Sequence, residues 1–175
     1  MGNPDAFRAL VERYEAQVAA TVIGMLGRGP DADDVGQETF VRFYESIDRF
    51  RGEAALGTYL TRIAINQCLK TIRRRRSWTR RFIGEAQLDA PLPDPPAPDT
   101  TVDLDNRERD ALVHRAVQAL PPKHRAVVVL RMIRELSTNE TAEALGVPPG
   151  TVMSRLSRAL AQLREPLALF HGDLS

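Results

Sequence analysis

The stretch STNETAEALGVPPGTVMSRLSRALAQLR, residues 137–164, decides the architecture. Ser137 followed three residues later by Glu140 is a capping box: each side chain can satisfy a free backbone N–H at the start of a helix. The helix through Ala142 and Leu145 meets Gly146, a residue suited to the left-handed conformation that ends helices. Pro148, Pro149 and Gly150 then permit a tight turn into another helix, and two helices joined by a short Gly-containing turn form a helix-turn-helix. Projected at about 100° per residue, Val152, Leu156, Ala159, Leu160 and Leu163 share roughly one third of the second helix's circumference. Thr151, Ser154 and Arg158 lie opposite, with Arg155 flanking. Arginine pairs bidentately with guanine, and short hydroxyls reach base edges or phosphates, so this face suits a reader of the major groove. A solvated face on an ordinary amphipathic helix has the same pattern, so the assignment needs a second feature.

That feature lies in the N-terminal half. Apolar residues recur there every three or four positions, the mark of helices rather than strands. Phe7, Leu10, Val11, Tyr14, Val18 and Val22 mark a first helix. Val35, Thr39, Phe40, Phe43 and Ile47 mark a second, after the turn GRGPDADD. Leu56, Leu60, Ile63, Ala64, Cys68 and Ile72 mark a third, on which Arg62, Asn66, Lys70 and Arg73 project from the opposite side. This helix ends in Arg73, Arg74, Arg75 and Arg76, with Trp78, Arg80 and Arg81 beyond. Adjacent cations answer to a phosphate backbone through counterion release, and an exposed aromatic can stack on a base. The plainer role, a charged helix end favourable to the helix dipole, fits either surface alone. It fits poorly when both occur on one chain.

Between the two halves runs LDAPLPDPPAPDTTVDLD, with five prolines and five aspartates. Proline removes backbone donors and forces its predecessor out of helical geometry, so this stretch reads as an extended, flexible linker. Beyond it, Leu112, Ala116, Ala119 and Leu120 mark a helix stopped at Pro121-Pro122. Val127 to Ile133 follows, and two short helices close the chain. The expected fold is all-α: two small helical domains, 1–83 and 107–175, joined by an acidic Pro-rich linker at 84–106, the C-terminal one a helix-turn-helix.

The net charge of +1 conceals an uneven distribution. Residues 1–83 hold 14 Lys and Arg against 10 Asp and Glu, and residues 107–175 hold 10 against 7. Residues 84–106 hold 6 acidic residues and no basic one. Two basic blocks separated by an acidic strip point to a polyanionic partner for each end. No apolar run approaches the roughly 18 residues of a spanning helix, and the N-terminus lacks a signal-peptide pattern, so a soluble, cytoplasmic protein is expected. The single cysteine, Cys68, excludes an internal disulfide framework and falls on an apolar helix face, as a core residue would. His114, His124 and His171 lie far apart with no metal-ligand spacing, and there is no GxSxG and no phosphate-cradling glycine loop. The chain therefore reads as a non-enzyme without metal or cofactor.

DADDVGQETFVRFYESIDRFRGEAALGTYLTRIAINQCLKTIRRRR resembles region 2 of extracytoplasmic-function sigma factors of the bacterial RNA polymerase sigma-70 family, and ALPPKHRAVVVLRMIRELSTNETAEALGVPPGTVMSRLSRALAQLR resembles their region 4. The resemblance covers nearly the whole chain, in order. It implies a promoter-recognition subunit with core RNA polymerase, through its β′ coiled coil and β flap, and promoter DNA as partners. An anti-sigma factor is a further implied partner. By position, Asp34, Val35, Gln37, Glu38, Thr39 and Phe40 match the segment that binds the β′ coiled coil. Asn66 matches a residue that captures a flipped base of the −10 element, in a pocket shaped by the loop from Glu53 to Thr58, including Ala54, Ala55 and Leu56. Arg62, Lys70 and Arg73 to Arg76 match the surface holding the non-template strand. Thr151, Ser154, Arg155, Ser157 and Arg158 match the surface reading the −35 element as duplex. The linker is implied to pass near the polymerase active-site channel.

The sequence departs from the family pattern at four places. Met153 stands where Lys or Arg is frequent, Gly57 replaces a larger residue, Tyr59 stands where Trp is frequent, and Thr141 replaces an apolar residue. These bear on which promoter sequence is read. A duplex-binding regulator acting as a dimer shares the helix-turn-helix but leaves Asp34 to Phe40 and the basic third helix unexplained.

Overall fold

The computed structural model describes residues 4–50, 52, 55–83 and 104–168, and every regular element among them is helical. Helix α1 (Pro4–Leu26) carries the first periodic run, and α2 (Pro30–Ser46) follows. Proline suits the first helical position because its missing N–H would have no partner there, so α2 starts inside the GRGPDADD turn. A short 3-10 turn (Ile47–Arg49) leads to α3 (Leu56–Ile83), which runs past the four arginines. Helix α4 (Leu104–Ala119) begins within the acidic strip, and Pro122 opens α5 (Pro122–Val128) rather than merely stopping its predecessor. A π-type turn (Val129–Ile133) continues α5, and α6 (Thr138–Leu145) and α7 (Pro149–Ala168) complete the chain. The last helix was expected to be short. Instead it is 20 residues long and includes Pro166. Ala54, the loop at Glu53, most of the acidic linker and the tail after Ala168 lie outside the described residues.

The capping box forms: Ser137 N–H donates to Glu140 Oε2 at 2.8 Å, and Glu140 N–H to Ser137 Oγ at 3.2 Å. Those bonds hold the Glu140 carboxyl below its ordinary pKa. Gly146 adopts φ 62°, ψ 40°, and Val147 N–H reaches back to the Ala142 carbonyl at 3.0 Å. A Cβ-bearing residue rarely takes that conformation, and here it closes the helix and aims the chain into α7.

Helices α1, α2 and α3 pack on one another as one unit, and α4 to α7 form the other. Phe43, Met25, Leu60 and Ile65 are completely buried in the first unit, each contributing about 1.5–3 kcal/mol by leaving water. Val127, Ala142 and Val152 form a small cluster inside the helix-turn-helix. The units also meet. Val117, Leu120, Ala126, Val128, Val129, Leu130, Ala144, Ala159 and Leu163 share one buried cluster with α1, α2 and α3. Helix α6 packs on α3, and the π-type turn packs on α1. Cys68 lies in this core, where burial pushes its thiol up to about 12.

Candidate nucleic-acid interface

On α3, Arg62, Asn66, Lys70, Arg73, Arg74 and Arg76 are exposed along one side, while Leu60, Ala64, Ile65, Cys68 and Ile72 are buried on the other. Arg75 differs from its neighbours. It is half-buried and ion-paired with Asp31 of α2, so it braces α3 against α2. Arg73 Nε donates to the Leu69 carbonyl at 3.2 Å, which lays that side chain along the helix. Trp78 is exposed beyond the arginines. Leu56 is half-buried at the start of α3 and Ala55 is exposed just before it.

Asn66 stands on the wall of an open cavity of about 420 Å³ between α2 and α3, lined by Arg42, Glu45, Ser46, Tyr59, Ile63, Asn66 and Gln67. That size is typical of small-ligand clefts. Its amides, guanidinium and carboxylate can serve the hydrogen-bonding edge of a planar ring. Tyr59 is fixed from two directions. Its hydroxyl donates to Ser46 Oγ at 3.1 Å, and its ring lies 5.1 Å from Phe50 and 6.2 Å from Phe43, centroid to centroid. Gly57 has a local reason: a Cβ there would come within 2.9 Å of Gln17 Nε2, which donates to the Gly57 carbonyl at 2.9 Å. Gln17 thereby ties the start of α3 to α1, with Thr61 Oγ1 completing the knot at 2.8 Å from the same carbonyl. Arg42, Glu45, Ser46 and Gln67 escaped sequence reasoning. The readable signal was their spacing, since 42, 45 and 46 share one helix face and 59, 63, 66 and 67 another.

Of the segment expected to meet polymerase, Asp34 and Gln37 are exposed and Glu38 half-buried, but Val35, Thr39 and Phe40 belong to the core. Those three hold the helix that presents their neighbours. Glu38 Oε1 lies 2.7 Å from Arg42 Nε, which joins this segment to the cavity wall. Tyr44 and Val41 are exposed on the same helix.

In the helix-turn-helix, Val152, Ala159 and Leu163 turn inward and Leu156 is half-buried, but Leu160 is 40% exposed. Leu160 was expected in the core. Its place at the edge of the apolar arc leaves one side open to solvent. Ser154, Ser157 and Arg158 are exposed and Thr151 and Arg155 half-exposed. Ser154 Oγ donates to the Thr151 carbonyl at 3.1 Å, a bond it exchanges if it turns to a base. Met153 is 54% exposed and accepts a contact from Thr138 Oγ1 at 3.7 Å. An exposed thioether beside short hydroxyls suits a thymine methyl better than a guanine edge. Thr141 is completely buried in α6.

Among the described residues no cluster of His, Cys, Asp and Glu could hold a metal, and no helix is long and apolar enough to cross a membrane.

Comparison with known proteins accounts for both halves. Family models described as Sigma-70 region 2 and Sigma-70, region 4 match residues 10–78 and 110–163. The ECF RNA polymerase sigma factor SigW of Bacillus subtilis (strain 168) is 33% identical over 177 aligned residues, covering 95% of this chain and 91% of the relative. The RNA polymerase sigma-E factor of Streptomyces coelicolor is 39% identical over 137 residues, covering 78% of this chain and 72% of that one. Among solved structures, CnrH in complex with the cytosolic domain of CnrY superposes with a TM-score of 0.69 at 28% identity, over 98% of this chain and 92% of that one. The sigma factor RpoE of Bartonella quintana, in complex with the anti-sigma factor NepR, superposes at 0.72 over 93% of this chain and 97% of that one. At 23% identity that likeness concerns the fold.

Proposed function

We propose that this chain, which belongs to the extracytoplasmic-function branch of the sigma-70 family of RNA polymerase sigma factors, directs core polymerase to promoters by reading the −35 element with α7 and capturing a −10 base in the Asn66 cavity. The observation that carries this reading is the pairing, in one chain, of two different nucleic-acid surfaces. One is a convex helix face of hydroxyls and arginines, suited to intact duplex. The other is a cavity between helices, with Arg42 and Asn66 on its wall and exposed cations farther along α3, suited to a base removed from its stack.

Thr151, Ser154, Arg155, Ser157 and Arg158 would contact the −35 duplex, with Met153 adding an apolar contact. Asn66 and Gln67 would hydrogen-bond the flipped base, with Tyr59 forming a wall of its cavity. Arg62, Lys70, Arg73, Arg74 and Arg76 would hold the displaced strand; Arg75 would support them from its pairing with Asp31. Ala55 and Leu56 would border the −10 site, with Ala54 beside them in sequence. Asp34, Gln37 and Glu38 would contact the β′ coiled coil, on a helix held by Val35, Thr39 and Phe40. The exposed side of the C-terminal unit would meet the β flap. The domains are proposed as 1–83 and 107–175, with 84–106 as linker. The chain acts in the cytoplasm, without catalysis or cofactor of its own, and an anti-sigma factor is a proposed further partner. Base flipping costs a few kcal/mol, and polymerase binding with two linked DNA contacts supplies it through effective concentration.

The test is run-off transcription with core polymerase on DNA from upstream of this protein's own gene. A defined start site that requires the protein and is lost on Asn66→Ala supports the reading. Absence of core binding and of any start site, alongside tight duplex binding by the free chain, would replace it with a duplex-binding regulator.

A further inference from the structure

Met153 lies in the first two turns of α7, where the second helix of such a pair presents the side chains that reach base edges. It is 54% exposed, although a thioether gains by leaving water. The residues one turn away on either side are Pro149, Gly150, Leu156 and Ser157, none of them charged. Gly150 brings no side chain, and a Cβ there would meet nothing within 4 Å, so the space before the methionine is open. Leu160, two turns farther on and 40% exposed, continues the apolar strip. Long side chains on a helix lean toward its N-terminus, and a contact from the neighbouring helix holds this one. Thr138, the first residue of α6, donates from Oγ1 to Met153 Sδ at 3.7 Å. The methionine therefore bridges the opening turns of both helices of the helix-turn-helix.

The chemistry that this corner can reward is narrow. Guanine shows two acceptors in the major groove, adenine an acceptor and a donor, and each of these calls for a polar partner. A thioether accepts hydrogen bonds weakly and donates none. The apolar group displayed in that groove is the C5-methyl of a pyrimidine. Ser157 is exposed one turn on from Met153. Its hydroxyl both donates and accepts, so it can meet the thymine O4 and the cytosine amino group alike.

We propose that Met153, steadied by Thr138 and flanked by Ser157, forms a subsite of the −35 reading face that recognises the C5-methyl group of a pyrimidine rather than the identity of the base. This inference deepens the promoter-recognition reading above and rests on it. Two bases satisfy the subsite: thymine, and 5-methylcytosine, which carries the same methyl at the same place in the groove. Uracil and unmethylated cytosine do not. Methylation of a cytosine at this one position would make it read as thymine does. Seating one methyl against apolar surface changes affinity by about fourfold.

The test compares methyl with no methyl on both pyrimidines. It uses the polymerase complex of the full chain and a duplex carrying the −35 element of a start site mapped by run-off transcription. Each thymine of the element, on either strand, is replaced in turn by deoxyuridine. At one position the wild type is expected to lose about fourfold in affinity, and there 5-methylcytosine should bind about fourfold better than cytosine. Met153→Ala should bring both ratios to one, and Met153→Leu, apolar but without sulfur, should keep most of each. Thr138→Val should lower both ratios, and unchanged ratios would remove Thr138 from the subsite. The proposal is overturned if no position depends on the methyl, or if the dependence survives in Met153→Ala. A response to thymine over uracil without one to 5-methylcytosine over cytosine would also overturn it. If the wild type gives no start site at all, the promoter-recognition reading has failed instead.

Discussion

The two surfaces proposed to meet nucleic acid are built by opposite means. The C-terminal one is a face of a single helix: Thr151, Ser154 and Arg158 follow one another at three- and four-residue spacing, and α7 needs only a cap, a turn and an apolar stripe to present them. The N-terminal one exists only between helices, since Arg42 and Glu45 on α2 face Tyr59, Asn66 and Gln67 on α3. A convex face can slide along duplex and tolerate small errors of placement. A cavity proposed to take one base has no such slack, because its walls come from separate helices held by Phe43, Phe50 and the Tyr59–Ser46 bond. Substitution should therefore act steeply and locally in the cavity, and in graded steps along the helix face.

The largest effect is expected at Asn66. Removing its amide leaves the hydrogen-bonding edge of a captured base unpaired in the cavity, a loss of about 1–3 kcal/mol if it pairs as side chains do with base edges in duplex. Asn66→Ala should cut open-complex formation on its promoter by roughly 10- to 100-fold, leaving binding of a duplex −35 fragment in the polymerase complex unchanged. Footprinting with permanganate would read the first and filter binding the second. Equal losses in both would show that the cavity and the helix face do not act separately.

Arg158→Ala comes next, at about 1–2 kcal/mol, or roughly tenfold in affinity for the −35 duplex, since an exposed side chain leaves its partner open to water. Its signature is relaxed discrimination at one base position. A loss uniform across all sequences would make Arg158 a phosphate contact instead.

These two surfaces were not equally legible. The helix-turn-helix could be read almost residue by residue, because capping boxes, glycine terminators and helical spacing are local rules and all operate within residues 137–164. The length of α7 was underestimated: the helix runs on to Ala168 and takes Pro166 into its last turns. In the N-terminal half the helices and Asn66 were visible, but the cavity was not. Its opposite walls are some twenty residues apart in sequence and meet only through tertiary packing. The burial of Val35, Thr39 and Phe40 was legible in their apolar spacing, yet the family resemblance alone placed them with the contact residues. The seating of Val129 on Gly24 had no sequence signal, because a glycine inside a helix does not announce what fills its place.

The capping box gives a smaller test of how locally the convex face is built. Ser137→Ala should cost about 1 kcal/mol of stability, read as a lower melting temperature. The effect has a defined pH dependence. The carboxyl of Glu140 is held below its ordinary range by its bonds to Ser137. Its contribution is therefore present above the unfolded carboxyl pKa, about 4.3, and is lost as pH falls through the folded value. The gap between wild type and Ser137→Ala should narrow in acid without closing, because the bond from Glu140 N–H to Ser137 Oγ does not titrate. A gap unchanged by pH would show that the Glu140 carboxylate draws nothing from the Ser137 side chain.

The smallest effect is the sharpest comparison, because it sets one residue type in the two halves. Thr39 and Thr141 are both completely buried. Thr39 Oγ1 donates to the Val35 carbonyl at 2.7 Å, as Thr21 and Thr61 do to their own fourth-preceding carbonyls. Thr141 Oγ1 has no partner among the described residues. Replacing a hydroxyl by a methyl of nearly the same shape removes a satisfied polar group in one case and an unsatisfied one in the other. Losing the made bond costs about 0.5–1.5 kcal/mol, whereas relieving the buried unpaired hydroxyl recovers about 1 kcal/mol of desolvation. Thr39→Val should therefore lower the midpoint of denaturant unfolding and Thr141→Val should raise it, with no change in the slope of either transition. Shifts of the same sign would mean that the Thr141 hydroxyl finds a partner in solution. Opposite shifts would show that α6 carries a stability cost in the helix that precedes the proposed reading face, which the N-terminal unit avoids at Thr21, Thr39 and Thr61 by bonding each back onto its own helix.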